Sequence, residues 1–134
     1  MLTNRSMPDC TVIPVLPYPD VDATVVWLAR AFGFSERLRI GDHRAQLTLG
    51  EGCVIVAATP DAPAAGLSVM VRVDDADRHC EQARQAGAQI LSPPTDYPYG
   101  ERQYTAADFA GHLWTVSQTL ADVDPAVWGG KLRE

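Results

Sequence analysis

A repeat inside this chain limits what it can fold into. Residues 11–17 (TVIPVLP) form a short, β-branched, strand-like run; Asp20 follows, then an apolar-periodic stretch with Gly33 near its end. Residues 67–73 (LSVMVRV) form a second such run, followed by Asp74, a second periodic stretch and Gly87. Asp20 to Gly33 is 13 steps and so is Asp74 to Gly87, which sets both landmarks 54 residues apart. Self-similarity at a fixed offset points to one supersecondary unit built twice.

Each half reads as a strand, a helix with an acidic N-cap and a glycine stop, and then three more strands. An Asp before a helix accepts from the free N–H groups of the first turn, and a Gly after it takes the left-handed conformation that ends one. Val21, Thr24, Val25, Leu28, Ala31 and Phe32 recur at helical spacing in the first half; Ala76, Cys80, Ala83 and Ala86 make a weaker stripe in the second. Strands are expected at 35–40, 44–49 and 53–58, and again at 89–92, 102–107 and 112–118. Residues 93–100 (PPTDYPYG) read as a loop in place of a tight turn. The expected fold class is α+β: tandem βαβββ modules forming an open, cup-shaped mixed sheet. The expected organisation is an N-terminal extension (1–10), one domain (11–120, with modules 11–60 and 66–119) and a tail (121–134) with a short helix near Asp124.

Composition narrows the function. Eleven basic against 17 acidic residues leave a net charge of −6, which does not suit a nucleic-acid binder. No apolar run approaches the length of a membrane span, and the first residues lack the apolar core of a secretory signal, so no membrane partner is expected and the cytoplasm is the expected compartment. Cys10, Cys53 and Cys80 are odd in number and widely spaced, and are read as free thiols.

The arrangement resembles the vicinal oxygen chelate superfamily of glyoxalases, bleomycin resistance proteins and dioxygenases. The residues that carry the resemblance are Asp20 with Ala31-Phe32-Gly33-Phe34, the strand exit Val73-Asp74-Asp75-Ala76-Asp77, and Tyr99-Gly100-Glu101-Arg102 followed by Asp108-Phe109-Ala110-Gly111-His112-Leu113-Trp114. The resemblance implies a metal centre whose His and Glu ligands come from four strands. Counted from the motifs, those positions carry Ile13, Val56, Ser68 and Thr115. None is a His or a carboxylate, so no metal and no cofactor are expected. His43, His79 and His112 fall on three separate local elements and are read as surface or loop residues. The resemblance also implies a homodimer.

Strand alternation suggests which side chains line the cup. Ser68, Met70 and Arg72 should face inward, with Leu113, Thr115 and Ser117; Trp114 should face the helix layer. On the seventh strand either Arg102 and Tyr104 or Gln103 and Thr105 point in, and the former pair is taken. Arg72 either pairs with a structural carboxylate, reaches solvent or orients a ligand. The expected ligand-lining set is Ile13, Val56, Ser68, Met70, Arg72, Arg102, Tyr104, Leu113 and Thr115. The reading favoured is a metal-independent binder of a small organic molecule, with drug or antibiotic sequestration as its expected role; a glyoxalase- or dioxygenase-like enzyme and an interaction module are the competing readings.

Overall fold

The computed structural model describes residues 4–59, 68–130 and 132. The first half runs β1 (Val15–Tyr18), α1 (Val21–Phe32), β2 (Ser35–Ile40), β3 (Arg44–Leu49) and β4 (Gly52–Ala58). The second runs β5 (Ser68–Arg72), α2 (Ala76–Gln85), β6 (Gln89–Tyr97), β7 (Glu101–Ala107) and β8 (Leu113–Thr119), followed by a 3-10 turn at Pro125–Trp128. The chain divides at residues 64–65 into two compact units. Each holds one four-stranded sheet of equivalent order, β1-β4-β3-β2 and β5-β8-β7-β6. In each, the first pair is parallel and the other two are antiparallel. This is the expected α+β class, with the βαβββ module used twice.

The helix signals act locally. The Asp20 carboxylate accepts from the Ala23 N–H at 3.0 Å, and Gly33 ends α1 at φ 82°, sending its own N–H to the Ala29 carbonyl. The buried face of α1 is Val21, Thr24, Val25, Leu28, Ala31 and Phe32, the stripe read from the sequence. In the second half the cap is Asp75, one residue later than expected, accepting from the Arg78 N–H. The Val73 N–H still bonds to the Ser117 carbonyl, so the chain stays against the sheet past the end of β5 and the turn into the helix is delayed.

Two expected boundaries move. The strand expected at 11–17 starts only at Val15, and Pro14 contributes just its carbonyl, which accepts from the Ile55 N–H. The start expected at Leu67 lies outside the described residues. The loop expected over 93–100 is largely strand, because β6 continues to Tyr97. β6 lies at a sheet edge and its register with β7 shifts between Ser92 and Thr95, so Pro93 and Pro94 break no ladder that needs their N–H.

The cysteines also differ from expectation. Cys10 and Cys53 are joined as a disulfide with Cα atoms 6.5 Å apart; only Cys80 is free, and it is buried. The sequence could not pair them because 43 residues separate the two and no local pattern connects them.

The β7–β8 turn is organised by Asp108, which is 5% exposed. Its carboxylate accepts from the N–H groups of Ala110 (3.0 Å) and His112 (2.9 Å) and from the indole N–H of Trp114 (3.0 Å). Trp114 is fully buried. Asp108→Ala removes the acceptor shared by these donors and is expected to cost about 3 kcal/mol, since each bond to a charged group contributes roughly 1.5–3 kcal/mol and they do not add fully. Urea unfolding monitored by Trp fluorescence measures it; an unchanged midpoint contradicts the assignment.

Candidate functional site

In the second unit the ladder register sorts side chains onto two faces. Gln118 accepts from the first N–H of α2 (Ala76, 2.8 Å), and so marks the helix face. Trp114, Val116, Tyr104, Ala106 and Arg102 share its parity through the β7–β8 pairing. The opposite, open face carries Ser68, Met70 and Arg72 on β5, Leu113, Thr115, Ser117 and Thr119 on β8, and Glu101, Gln103 and Thr105 on β7.

Arg102 and Tyr104 were therefore expected on the wrong face. The Arg102 guanidinium lies between Asp96 (2.6 and 3.2 Å) and Asp77 of α2 (3.1 Å), and it holds the Asp96 carboxyl below the usual carboxylate range. Tyr104 is 1% exposed, with its hydroxyl 2.5 Å from Nδ1 of His79 on α2. Burial pushes its phenol well above the ordinary value, so it stays neutral. His79, read as a surface histidine, is half-buried in this contact, and His112 is buried in the Asp108 turn. Trp114 pairs with Ala106 across the ladder. Its helix-facing position therefore fixes the parity of β7, but only once the register is known.

On the open face, hydrogen bonds link four side chains. Tyr99 donates to Gln103 Oε1 (3.0 Å), Gln103 Nε2 to Ser117 Oγ (3.0 Å), and Ser117 Oγ to Glu101 Oε1 (2.7 Å). Beside them, Arg72 donates to Thr119 Oγ1 at 2.8 Å. The hydroxyls of Thr119 and Ser117, with the Arg72 charge behind them, keep the Glu101 carboxyl below its usual range. On the same face stand two apolar side chains, Met70 (59% exposed), opposite Thr115, and Leu113 (36%), opposite Ser68. Tyr97 stacks on Tyr99 with centroids 5.4 Å apart, and Trp128 meets Tyr99 edge-on at 5.4 Å. A recess of about 220 Å³ opens beside Arg72, bounded by Asp74, Gln118 and Thr119.

Gly100 holds the aromatic corner in place. Its φ is +83°, its carbonyl accepts from the Leu120 and Ala121 N–H groups, and a Cβ there would lie 2.5 Å from the Ala121 carbonyl oxygen. Sequence reasoning missed Glu101 and the contact of Trp128 with Tyr99. Glu101 reads as part of a turn motif, and Trp128 lies far along the chain from the tyrosines it meets.

In the first unit, Val56 pairs with Leu16 and Ala45 and is fully buried. It shares the face of Arg39, which is paired with Asp22 of α1. Val56 therefore faces the helix, not the open side, and Ile55 and Gln46 hold the open-face positions next to it. Ile13 precedes β1 and is half-buried. The donor set does not fit a divalent metal: Ile13, Ile55, Ser68 and Thr115 offer no imidazole or carboxylate. Among the described residues, no three His, Cys, Asp or Glu side chains come together in a way that could hold one.

Tyr104→Phe removes a structural hydrogen bond and is expected to cost about 1 kcal/mol, leaving open-face chemistry untouched; a thermal melt checks the first expectation. Glu101 contributes stability through its ionised form. Its folded pKa lies below the unfolded value of about 4.3, so its stabilisation is present at neutral pH and lost as pH falls through the folded value. Glu101→Gln is expected to flatten the melting-temperature profile below about pH 4.3, and an acid limb as steep as that of the unmodified protein argues against this role.

Residues 11–116 match the family model described as the Glyoxalase/Bleomycin resistance protein/Dioxygenase superfamily. Among solved structures, the chain is similar to TioX from Micromonospora sp. ML1, at 39% identity over 81% of this chain and 98% of that one, with a TM-score of 0.70. It is also similar to a bleomycin resistance determinant encoded on the transposon Tn5 (24% identity; 83% and 98% covered; TM-score 0.68). A bleomycin-binding protein complexed with bleomycin gives 24% identity, 81% and 98% coverage and a TM-score of 0.66. At 24% identity, these last two show the fold alone. No curated protein matches the chain. Among the described residues, no helix is long and apolar enough to cross a membrane.

Proposed function

The chain belongs to the glyoxalase/bleomycin resistance protein/dioxygenase superfamily, and from that premise we propose that it is a metal-independent binding protein for a small organic molecule. The observation that carries this reading is the open face of the second sheet. There, exposed Met70 and Leu113 share one face with hydrogen-bonding groups already held in position by one another. Apolar surface with a few fixed polar groups is the composition of small-molecule sites. The stacked Tyr97 and Tyr99 add π-faces at its margin, and the net charge of −6 favours a cationic ligand through long-range attraction. Ser68, Met70, Arg72, Leu113 and Thr115 are the expected residues that serve this face, joined by Gln103, Ser117 and Glu101. Drug or antibiotic sequestration is the role in keeping with the bleomycin-binding neighbour. The reading extends to a homodimer in the cytoplasm.

Titration calorimetry with bleomycin and a panel of planar aromatic cations, in metal-free buffer, tests the proposal. Saturable binding is expected, weakened at least tenfold by Met70→Asp and by Gln103→Leu. Unchanged affinity in both variants, or no binding across the panel, overturns it. Turnover of a hemithioacetal or a catechol that depends on an added divalent metal supports the enzyme reading instead. Native mass spectrometry is expected to show twice the 14.5 kDa chain mass.

A further inference from the structure

The first unit carries a feature outside the site just described. Residues 4–10 cross the open face of the first sheet and are tied to it at three points. Arg37, which falls where the β2–β3 register shifts between Glu36 and Leu38, donates to the Arg5 carbonyl at 2.9 Å and to Gln46 Oε1 at 2.5 Å. Gln46, 4% exposed on β3, donates through Nε2 to the Ser6 carbonyl at 2.8 Å. The third tie is the Cys10–Cys53 disulfide, with Cys53 on β4 at a position facing Thr48. Gln46, Thr48 and Cys53 have one parity in the β3–β4 ladder, so all three ties engage the same face, opposite the one that receives α1.

The geometry points to a thiol–disulfide latch: oxidation of Cys10 and Cys53 fastens residues 4–10 over the open face of the first sheet, and reduction releases them. Two hydrogen bonds to backbone carbonyls of a mostly exposed segment are too weak to offset the entropy of ordering seven residues, so the covalent tie decides the state. Cys53 is 6% exposed whereas Cys10 is half-exposed, and Cys10 borders a recess of about 670 Å³ lined also by Asp9, Arg37, Thr48 and Glu51. An attacking thiolate therefore reaches the Cys10 sulfur.

The reductant is a dithiol. Its thiolate attacks Cys10 Sγ, the Cys10–Cys53 bond breaks, and Cys53 leaves as a thiolate that takes up a proton. The second thiol then displaces Cys10, which leaves in the same way. Two electrons and two protons pass to the protein, and the dithiol becomes a cyclic disulfide. In a reducing compartment such a bond acts as a sensor rather than a staple. Cys80 stays out of the exchange, because it is buried in the other unit and burial pushes its thiol up.

The test reads the latch without any ligand, so its outcome is separable from that of the binding proposal. Thiols are counted in the denatured protein after treatment with a disulfide oxidant and after dithiothreitol, and hydrogen exchange of residues 4–12 is followed by mass spectrometry in both states. One free thiol is expected after oxidation and three after reduction, with exchange in the segment at least tenfold faster in the reduced protein. Cys10→Ser, a change at a half-exposed loop position, is expected to exchange fast in both conditions. Three free thiols after oxidation overturn the proposal, as does a segment that exchanges equally in the two states.

Discussion

The Asp108 carboxylate sets the second unit. Three N–H groups converge on it, from Ala110, His112 and the Trp114 indole. Because the indole donates to a carboxylate inside the β7–β8 turn, Trp114 is pinned on the helix side of β8. Strand alternation then assigns every other residue of that strand. Leu113, Thr115 and Ser117 must lie on the open face, and the ladder passes the same choice to Gln103 on β7 and Met70 on β5. A single buried acceptor thereby fixes which surface is core and which is exposed.

The helix face and the open face solve different problems. Polar groups on the helix face are matched closely: Arg102 sits between two carboxylates and Tyr104 meets His79, so neither presents free chemistry. On the open face the hydrogen bonds run in series from Tyr99 to Glu101 while Met70 and Leu113 stay uncovered. Ordering polar groups before a ligand arrives lowers the cost of binding. The first sheet differs in having a segment of its own chain across the corresponding surface. The two halves share a topology and diverge in what covers their open faces.

Much of the fold is legible because its signals are local. A cap at Asp20, a stop at Gly33, the α1 stripe and the strands β2 and β3 each depend on residues within a turn or two of one another. Ser68, Met70, Arg72, Leu113 and Thr115 follow from alternation within a single strand. The errors share a cause. Val56, Arg102 and Tyr104 required the register between strands, where a shift of one residue exchanges the faces. β6 required knowing that it lies at an edge, where two prolines do no harm.

By itself the sequence determined the repeat, the α+β class and the helix that follows the first strand of each half. Those properties rest on residue type and short-range spacing. Only the tertiary structure decided the faces of β4 and β7, the pairing of Cys10 with Cys53 across 43 residues, and the meeting of Trp128 with Tyr99. Each is a contact between distant segments, and its geometry exists only after the strands have paired and the chain entropy between them has been lost.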